Sequence, residues 1–192
     1  MAGQVGGSAP AAVDPRVLRT RHDILTATLR VLTDEGWDAV THAHVARTAG
    51  YSRATVYKHW QSRADLITDA FTRLSDMRHH TPTGDLRDDL ISEVTTFRTA
   101  MEEQRLDRAL CALVELTATV PELVAVRHKL VTDGERLVRE LLEPSLHGAE
   151  LEAATMMLCG AVLHGAMMHG EPPSDDVIAA SVDLVLLAIG RG

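Results

Sequence analysis

The sequence predicts an all-α protein: an N-terminal three-helix helix-turn-helix head, joined by a fourth helix to a C-terminal helical body. Three observations carry that prediction. Apolar residues recur at helical spacing along the chain, with no strand alternation, internal repeat or low-complexity tract in the folded part. Two short segments that Thr41 and Ser52 can cap, "HAHVARTA" and "RATVYKH", flank a tight turn at Gly50. The chain of 192 residues is long enough for a small head on a larger body, and its 45% hydrophobic and 24% charged composition is that of a folded globular protein.

Taken in order, Asp14-Pro15 opens the first helix, Asp as cap and Pro where its missing N–H costs nothing. The pairs Val17/Leu18, Ile24/Leu25, Thr28/Leu29 and Val31/Leu32 bury one face to about residue 35, where Gly36 supplies the stop. Trp37 reads as buried. Thr41 caps the second helix, which ends at Gly50, and Ser52 caps the third. Val45, Ala46, Ala49 and Val56 pack across the turn. Ser62-Arg63-Ala64-Asp65 is a capping box for a fourth helix carrying Leu66, Ile67, Ala70, Phe71, Leu74 and Met77, predicted to reach about residue 80. His80-Thr81-Pro82-Thr83-Gly84 then reads as the hinge between head and body. Further helices are predicted over about 85–105, 107–118, 121–142, 149–169 and 174–189, the last capped by Ser174 after Pro172-Pro173. The domain reading is a disordered lead over 1–14, a helix-turn-helix domain over 15–62, a connecting helix over 63–82 and a helical body over 83–192.

Charge separates the two parts. Residues 16–80 carry ten Arg/Lys against seven Asp/Glu, and residues 81–192 carry nine against nineteen, so a basic head sits on an acidic body although the net charge is −8. Two cysteines, Cys111 and Cys159, make neither a CxxC motif nor a disulfide framework and fit a reducing cytoplasm. The lead lacks the apolar run of a signal peptide, and the apolar stretches 153–168 and 177–189 are interrupted by His164 and Asp183, so no membrane span is expected.

The stretches "GWDAVT" and "VARTAGYSRATVYKHWQSRADLI", with the first-helix pattern before them, make residues 20–67 resemble the DNA-binding head of the TetR family of bacterial transcription regulators. Lys58 and Trp60 stand where an aromatic residue and Phe are more usual in that family, and Ala54 where Gly or Pro is common. The resemblance implies a homodimeric, ligand-responsive regulator, usually a repressor, with a ligand-binding and dimerisation body.

The chemistry of the motif agrees. Helix N-termini offer free N–H groups to phosphate, so the caps Thr41 and Ser52 are candidate phosphate seats. Thr55, Tyr57, Lys58 and His59 add donors, and Arg63 is a candidate clamp for the next phosphate. Base reading is expected from the front of the third helix: Arg53 can meet guanine bidentately, and Ala54 or Tyr51 can touch a thymine methyl, with Ala43 and His44 contributing from the second. The plainer alternatives are a core Trp60, a packed Tyr57 ring with only its hydroxyl exposed, and a merely superficial His59.

In the body, "VIAASVDLVLLAI" is apolar nearly all round and needs cover on two sides, while Ala153, Ala154, Gly160, Ala161, Gly165 and Ala166 allow close helix approach. A two-fold four-helix interface is expected, with Gly160, Leu163, Met167, Val182 and Leu186 as candidates, and with it two heads on a palindromic duplex operator. Phe97, Met101, Thr117, Met157, His164 and Met168 are the candidate lining of a small-molecule effector site. Met156, Met157, Cys159, His164, Met167, Met168 and His169 invite a metal reading, but Met is a common gap-filler and no ligand set with fixed spacing stands out, so no metal or other cofactor is assigned. A metal-dependent helical-bundle enzyme would need Glu-x-x-His pairs, which the chain lacks, and no Ser nucleophile sits in a strained turn; no enzyme is expected. A helical interaction module without DNA binding is the remaining alternative.

Overall fold

The computed structural model describes residues 14–74, 78–103 and 105–190. The lead over 1–13 and the Met77 assignment lie outside them. Helix α1 (Pro15–Glu35) begins as expected, the Asp14 carboxylate accepting the Arg16 N–H at 2.9 Å. A 3-10 turn (Trp37–Ala39) leads to α2 (His42–Ala49) and α3 (Arg53–His59). Gly50 between them adopts φ 77°, a left-handed conformation that a side chain resists, and this permits the tight turn. Val45, Ala46 and Val56 are buried across it and Ala49 is half-buried. Helix α4 (Arg63–Leu74) starts with a reciprocal capping box: the Ser62 hydroxyl accepts the Asp65 N–H at 3.0 Å and the Asp65 carboxylate accepts the Ser62 N–H at 3.3 Å.

The connection from α4 departs from expectation. Arg78–His80 are not helical, and the expected free hinge is strapped down by α5 (Leu86–Glu103). Buried Asp89 accepts the Thr83 N–H at 2.8 Å, the Thr83 hydroxyl at 2.9 Å and the Gly84 N–H at 3.0 Å, and faces His80 Nε2 at 3.0 Å. Buried Glu93 accepts the His80 N–H at 2.8 Å and meets His79 Nδ1 at 2.6 Å. The captured N–H groups bond carboxylates on the next helix where an α-helix would bond its own carbonyls, which is why helix does not continue through them. Gly84 turns the chain at φ 101°.

Helices α6 (Leu106–Leu116), α7 (Glu122–Leu142), α8 (Gly148–His164) and α9 (Asp175–Ile189) complete the body, α8 running on into a π turn over Gly165–His169. Ser174 holds the expected cap position of α9, but its hydroxyl makes no capping bond. Two cores organise the chain. The first joins Ile24, Val45, Val56, Leu66, Ile67 and Phe71 to Leu113 of α6 and Leu123 of α7, so the apolar interior of the head is continuous with these two body helices. The second joins Leu90, Leu142, Leu158, Val162, Ile178 and Val182. Arg87 clasps α9 to α5 by pairing with Asp183 at 2.6 and 3.1 Å; this bond raises the Arg87 pKa and lowers that of Asp183.

Among the described residues, by length and composition alone one helix, Gly148–His169 at a mean hydropathy of 1.4, is apolar enough to cross a membrane. The interruption at His164 therefore excludes less than expected. Here Leu158 and Val162 pack into the second core, while Met156 and Met157 of α8, and Val177, Leu184 and Leu187 of α9, are exposed.

The strap titrates. The Thr83 N–H first, then the Gly84 N–H, His80 and the Thr83 hydroxyl, hold the Asp89 carboxyl well below the usual carboxylate range against the opposing effect of burial. Its stabilisation is therefore present above about pH 4 and lost as pH falls below that value towards the depressed folded pKa. Urea unfolding of Asp89→Asn is expected to show a lower midpoint than wild type at pH 7 and a shallower loss between pH 4 and acid. An unchanged acid limb in the variant counts against the strap.

Candidate nucleic-acid interface and body cavity

Helix α3 is two turns long, and its outward face is simple to state. Arg53, Ala54, Tyr57 and Lys58 are exposed, Thr55 and His59 are half-buried, and Val56 points into the core. Arg53 and Lys58 make no hydrogen bond or ion pair among the described residues, so both cations are free. The caps are formed: the Ser52 hydroxyl accepts the Thr55 N–H at 3.1 Å, and the Thr41 hydroxyl accepts the His44 N–H at 3.2 Å. Each cap satisfies one N–H of its helix start and leaves others facing outward. Ala43 is exposed beside them.

What orients this face is a carboxylate. Asp69 of α4 accepts Trp60 Nε1–H at 2.9 Å and the Arg21 guanidinium of α1 at 2.5 Å, while that guanidinium lies 5.0 Å from the centre of the Trp60 ring. His42 Nε2 donates to the Trp60 carbonyl at 2.7 Å, tying α2 to the end of α3. Trp60 is only 3% exposed and is the core aromatic the sequence suggested.

Several expected roles do not match the geometry. Tyr51 is half-buried and its hydroxyl donates to Asp23 at 2.8 Å, which turns it towards α1 and away from the α3 face. Arg63 stacks on Trp37, 4.2 Å from the ring centre, and donates to the Trp37 carbonyl at 3.4 Å, so it braces the 3-10 turn. Trp37 is half-buried beneath it. Tyr57 is 53% exposed, ring included. His44 is half-buried between Glu35, at 2.8 Å, and Arg47; the carboxylate can only accept, so Nε2 carries the hydrogen and Nδ1 accepts from Arg47. Burial first, then Arg21 and Lys58, lower the pKa of His59 from its ordinary 6.5, which disfavours the cationic form a phosphate would meet. The sequence reading missed the first turns of α1: Arg16, Val17 and Thr20 face Ala54, Thr55, Lys58 and His59 across an open cleft. The signal was there, two Arg at 16 and 19 beside a helix start with no acidic residue between them.

In the body, a cavity of about 100 Å³ is lined by Phe97, Leu106, Leu110, Leu130, Val131, Gly134, Glu135, Cys159 and Leu163. Of the six residues expected to line a ligand site, this includes Phe97 alone. Met101 is buried in the second core, and the Thr117 hydroxyl accepts from Arg127 at 3.2 Å at the end of α6. Met157, His164 and Met168 are exposed on the outside. Period-3.6 reasoning could not choose between faces on α8, because both are apolar. Burial pushes the Cys159 thiol up to about 12, with help from Glu135 and Glu93. Among the expected interface residues, Gly160 is half-buried and Met167 is 38% exposed, but Val182 is fully buried within the protomer, Leu186 packs against the same core and Leu163 faces the cavity. The large apolar side chains exposed on α8 and α9 are Met156, Met157, Val177, Leu184 and Leu187. Among the described residues, no group of three or more His, Cys, Asp or Glu is placed to hold a metal.

A capped helix pair presenting free cations, carried on a helical body, is the architecture of a helix-turn-helix transcriptional regulator. Residues 24–70 match the bacterial regulatory proteins of the tetR family, and residues 80–185 match the tetracyclin repressor-like C-terminal domain. The chain belongs to the TetR family, whose members are regulators and not enzymes. An uncharacterized HTH-type transcriptional regulator of Mycobacterium tuberculosis is 29% identical over 195 residues, covering 97% of this chain and 96% of that one. The HTH-type transcriptional regulator AqdR of Rhodococcus erythropolis is 26% identical over 158 residues, 80% of this chain and 74% of its own. The fold is shared with a transcriptional regulator from Rhodococcus sp. Rha1, at TM-score 0.67 and 17% identity over 88% of this chain and 96% of that one. A TetR family regulator from Marinobacter aquaeolei VT8 shares it at TM-score 0.64 and 21% identity, over 88% and 95%.

Arg63 separates a brace from a phosphate clamp. Arg63→Ala is expected to cost about 1 kcal/mol of stability in thermal or urea unfolding, from lost stacking on Trp37. The slope of DNA affinity against salt should stay as in wild type. A shallower slope at unchanged stability would restore the clamp.

Proposed function

We propose that this regulator is a ligand-responsive repressor: a homodimer that holds a palindromic operator through two α3 helices and is released by a small apolar effector in the body. The observation that carries the proposal is the placement of α6. Leu106 and Leu110 of α6 form part of the cavity wall, while Arg105 at its start pairs with Asp34 near the end of α1 at 2.9 Å, and Arg108 approaches the same carboxylate at 3.7 Å. Helix α6 thus touches both the apolar cavity and the head, as α7 does through Leu130. The cavity is small, so a molecule larger than a single ring must displace its walls, and α6 and α7 are the walls that also pack against the head. The effector would act only through its different affinity for the two arrangements, so operator and effector weaken each other equally. The large apolar side chains left exposed on α8 and α9 support the dimer, since a partner's surface would cover them.

On the DNA side, Arg53 is the proposed base reader, with Ala54 beside it as an apolar contact. Lys58, Tyr57, Thr55, Ser52 and Thr41 are proposed to seat phosphates, joined by Arg16 and Thr20 across the cleft, with Ala43 and His44 flanking at α2. The cytoplasm, where the duplex is, is the proposed location.

Two measurements test this reading. In gel shifts on the DNA upstream of the chain's own gene, Arg53→Ala should lose about 1–3 kcal/mol of discrimination at one position per half-site, whereas Lys58→Ala should weaken all sequences and flatten the salt slope by about one. Absence of any effect in both variants would favour the interaction module without DNA binding. For the cavity, Gly134 has open space at its Cβ position and sits mid-helix, so Gly134→Leu fills the space while gaining about 1 kcal/mol of helix propensity. Toluene or indole is expected to raise the melting temperature of wild type and not of Gly134→Leu, with operator affinity the same in both. An equal rise in the two proteins would remove the cavity from the account.

A further inference from the structure

Residues five apart on an α-helix point about 140° away from each other. His164 and His169 do not. At Gly165 the helix passes into the π turn Gly165–His169, whose i→i+5 bonding stacks residues at that separation. The two imidazole centres lie 4.9 Å apart at an interplanar angle of 72°, and their Nε2 atoms lie 3.1 Å apart. Both side chains are exposed, so core packing does not account for their convergence.

The turn is built into the fold. A Cβ on Gly165 would stand 2.9 Å from the Glu171 carbonyl oxygen and 3.0 Å from Pro173, so the chain leaving the turn folds back against the helix at the one residue without a side chain. The distance between the nitrogens has a chemical meaning. Two ligand nitrogens, each about 2.0–2.1 Å from one tetrahedral or tetragonal ion, are themselves about 2.9–3.4 Å apart. Imidazole is a common ligand for borderline transition-metal ions.

We infer that His164 and His169 form a chelating pair for one borderline or soft transition-metal ion per protomer, Zn²⁺ or Cu⁺, at the end of α8. The site is separate from the apolar cavity and does not depend on the effector reading. Both imidazoles bind as neutral ligands through Nε2, with water completing the shell. The competing arrangement is a plain hydrogen bond between two neutral rings, one Nε2–H donating to the other.

The test uses untagged, chelator-stripped full-length protein without DNA. Equilibrium dialysis against Zn²⁺, and in a separate anaerobic arm against Cu⁺, should give one ion per protomer by atomic emission. His164→Gln and His169→Gln should each weaken binding at least about tenfold, as loss of one of two chelating ligands requires, with an unchanged circular dichroism spectrum. No binding of either ion, or binding undiminished in both histidine variants, overturns the assignment and leaves the hydrogen bond as the reason for the pair.

Discussion

The head depends on one carboxylate. Asp69 sits on α4, yet it holds the residue that ends α3, Trp60, and the guanidinium of Arg21 on α1, so a single side chain fixes the mutual angle of three helices. A two-turn helix cannot hold its own orientation, because nucleating a short helix costs more than its few hydrogen bonds return. The outward face of α3 is therefore only as well placed as the Trp60 indole beneath it. The arrangement also explains why α4 belongs to both parts of the molecule. Its Leu66, Ile67 and Phe71 sit in the same apolar interior as Leu113 of α6 and Leu123 of α7, so movement in the body reaches Asp69 through packed side chains.

The junction at α6 is finely balanced. Arg105 adopts φ 53°, and a left-handed conformation costs a residue with a side chain about 1–2 kcal/mol. The pair it makes with Asp34 is substantially exposed on both sides, and such pairs contribute about 0–1 kcal/mol. Cost and gain nearly cancel. A helix start in that condition changes arrangement under a small bias, which a ligand pressing on Leu106 would supply. The strap at Asp89 and Glu93 is the opposite case. Its backbone and side-chain donors converge on buried carboxylates, so residues 79–84 are held against α5, in contrast to the start of α6.

How much of this could be read from the sequence differs between head and body for a physical reason. Caps, a positive-φ glycine and a reciprocal capping box are local chemistry, and Asp14, Thr41, Gly50, Ser52 and Ser62 mark helix ends that the structure reproduces. Which side of α3 faces out followed from Val56 alone. Partners distant in sequence were not legible: nothing near Tyr51 says that Asp23 accepts its hydroxyl, and nothing near Arg63 says that Trp37 lies under it. The strap was read as a hinge because Pro82 and Gly84 signal a turn, whereas the carboxylates that hold it come from the following helix. In α8 the failure is one of degeneracy. When both faces are apolar, periodicity cannot tell the side facing the core from the side left exposed, so Met157 and Met168 were placed inside while Cys159 and Leu163 were passed over.

The acidic body looks unfavourable for a protein that must approach a polyanion, and the distance scale decides how much it matters. At physiological salt the Debye length is about 8 Å, so charge on the far helices of the body is largely screened from a phosphate at α3. In the proposed complex the duplex would meet the unpaired Arg53 and Lys58 with exposed Arg16 and Arg19 at close range, while Asp23 and Asp69 on the same head are already occupied by Tyr51 and by Trp60 with Arg21. The internal bonds that orient the head therefore also remove carboxylates from competition with phosphate. Charge on the body acts over longer range at low salt, where it disfavours approaches that lead with anything but the head, and so selects orientation while leaving the affinity of the docked state to the α3 face.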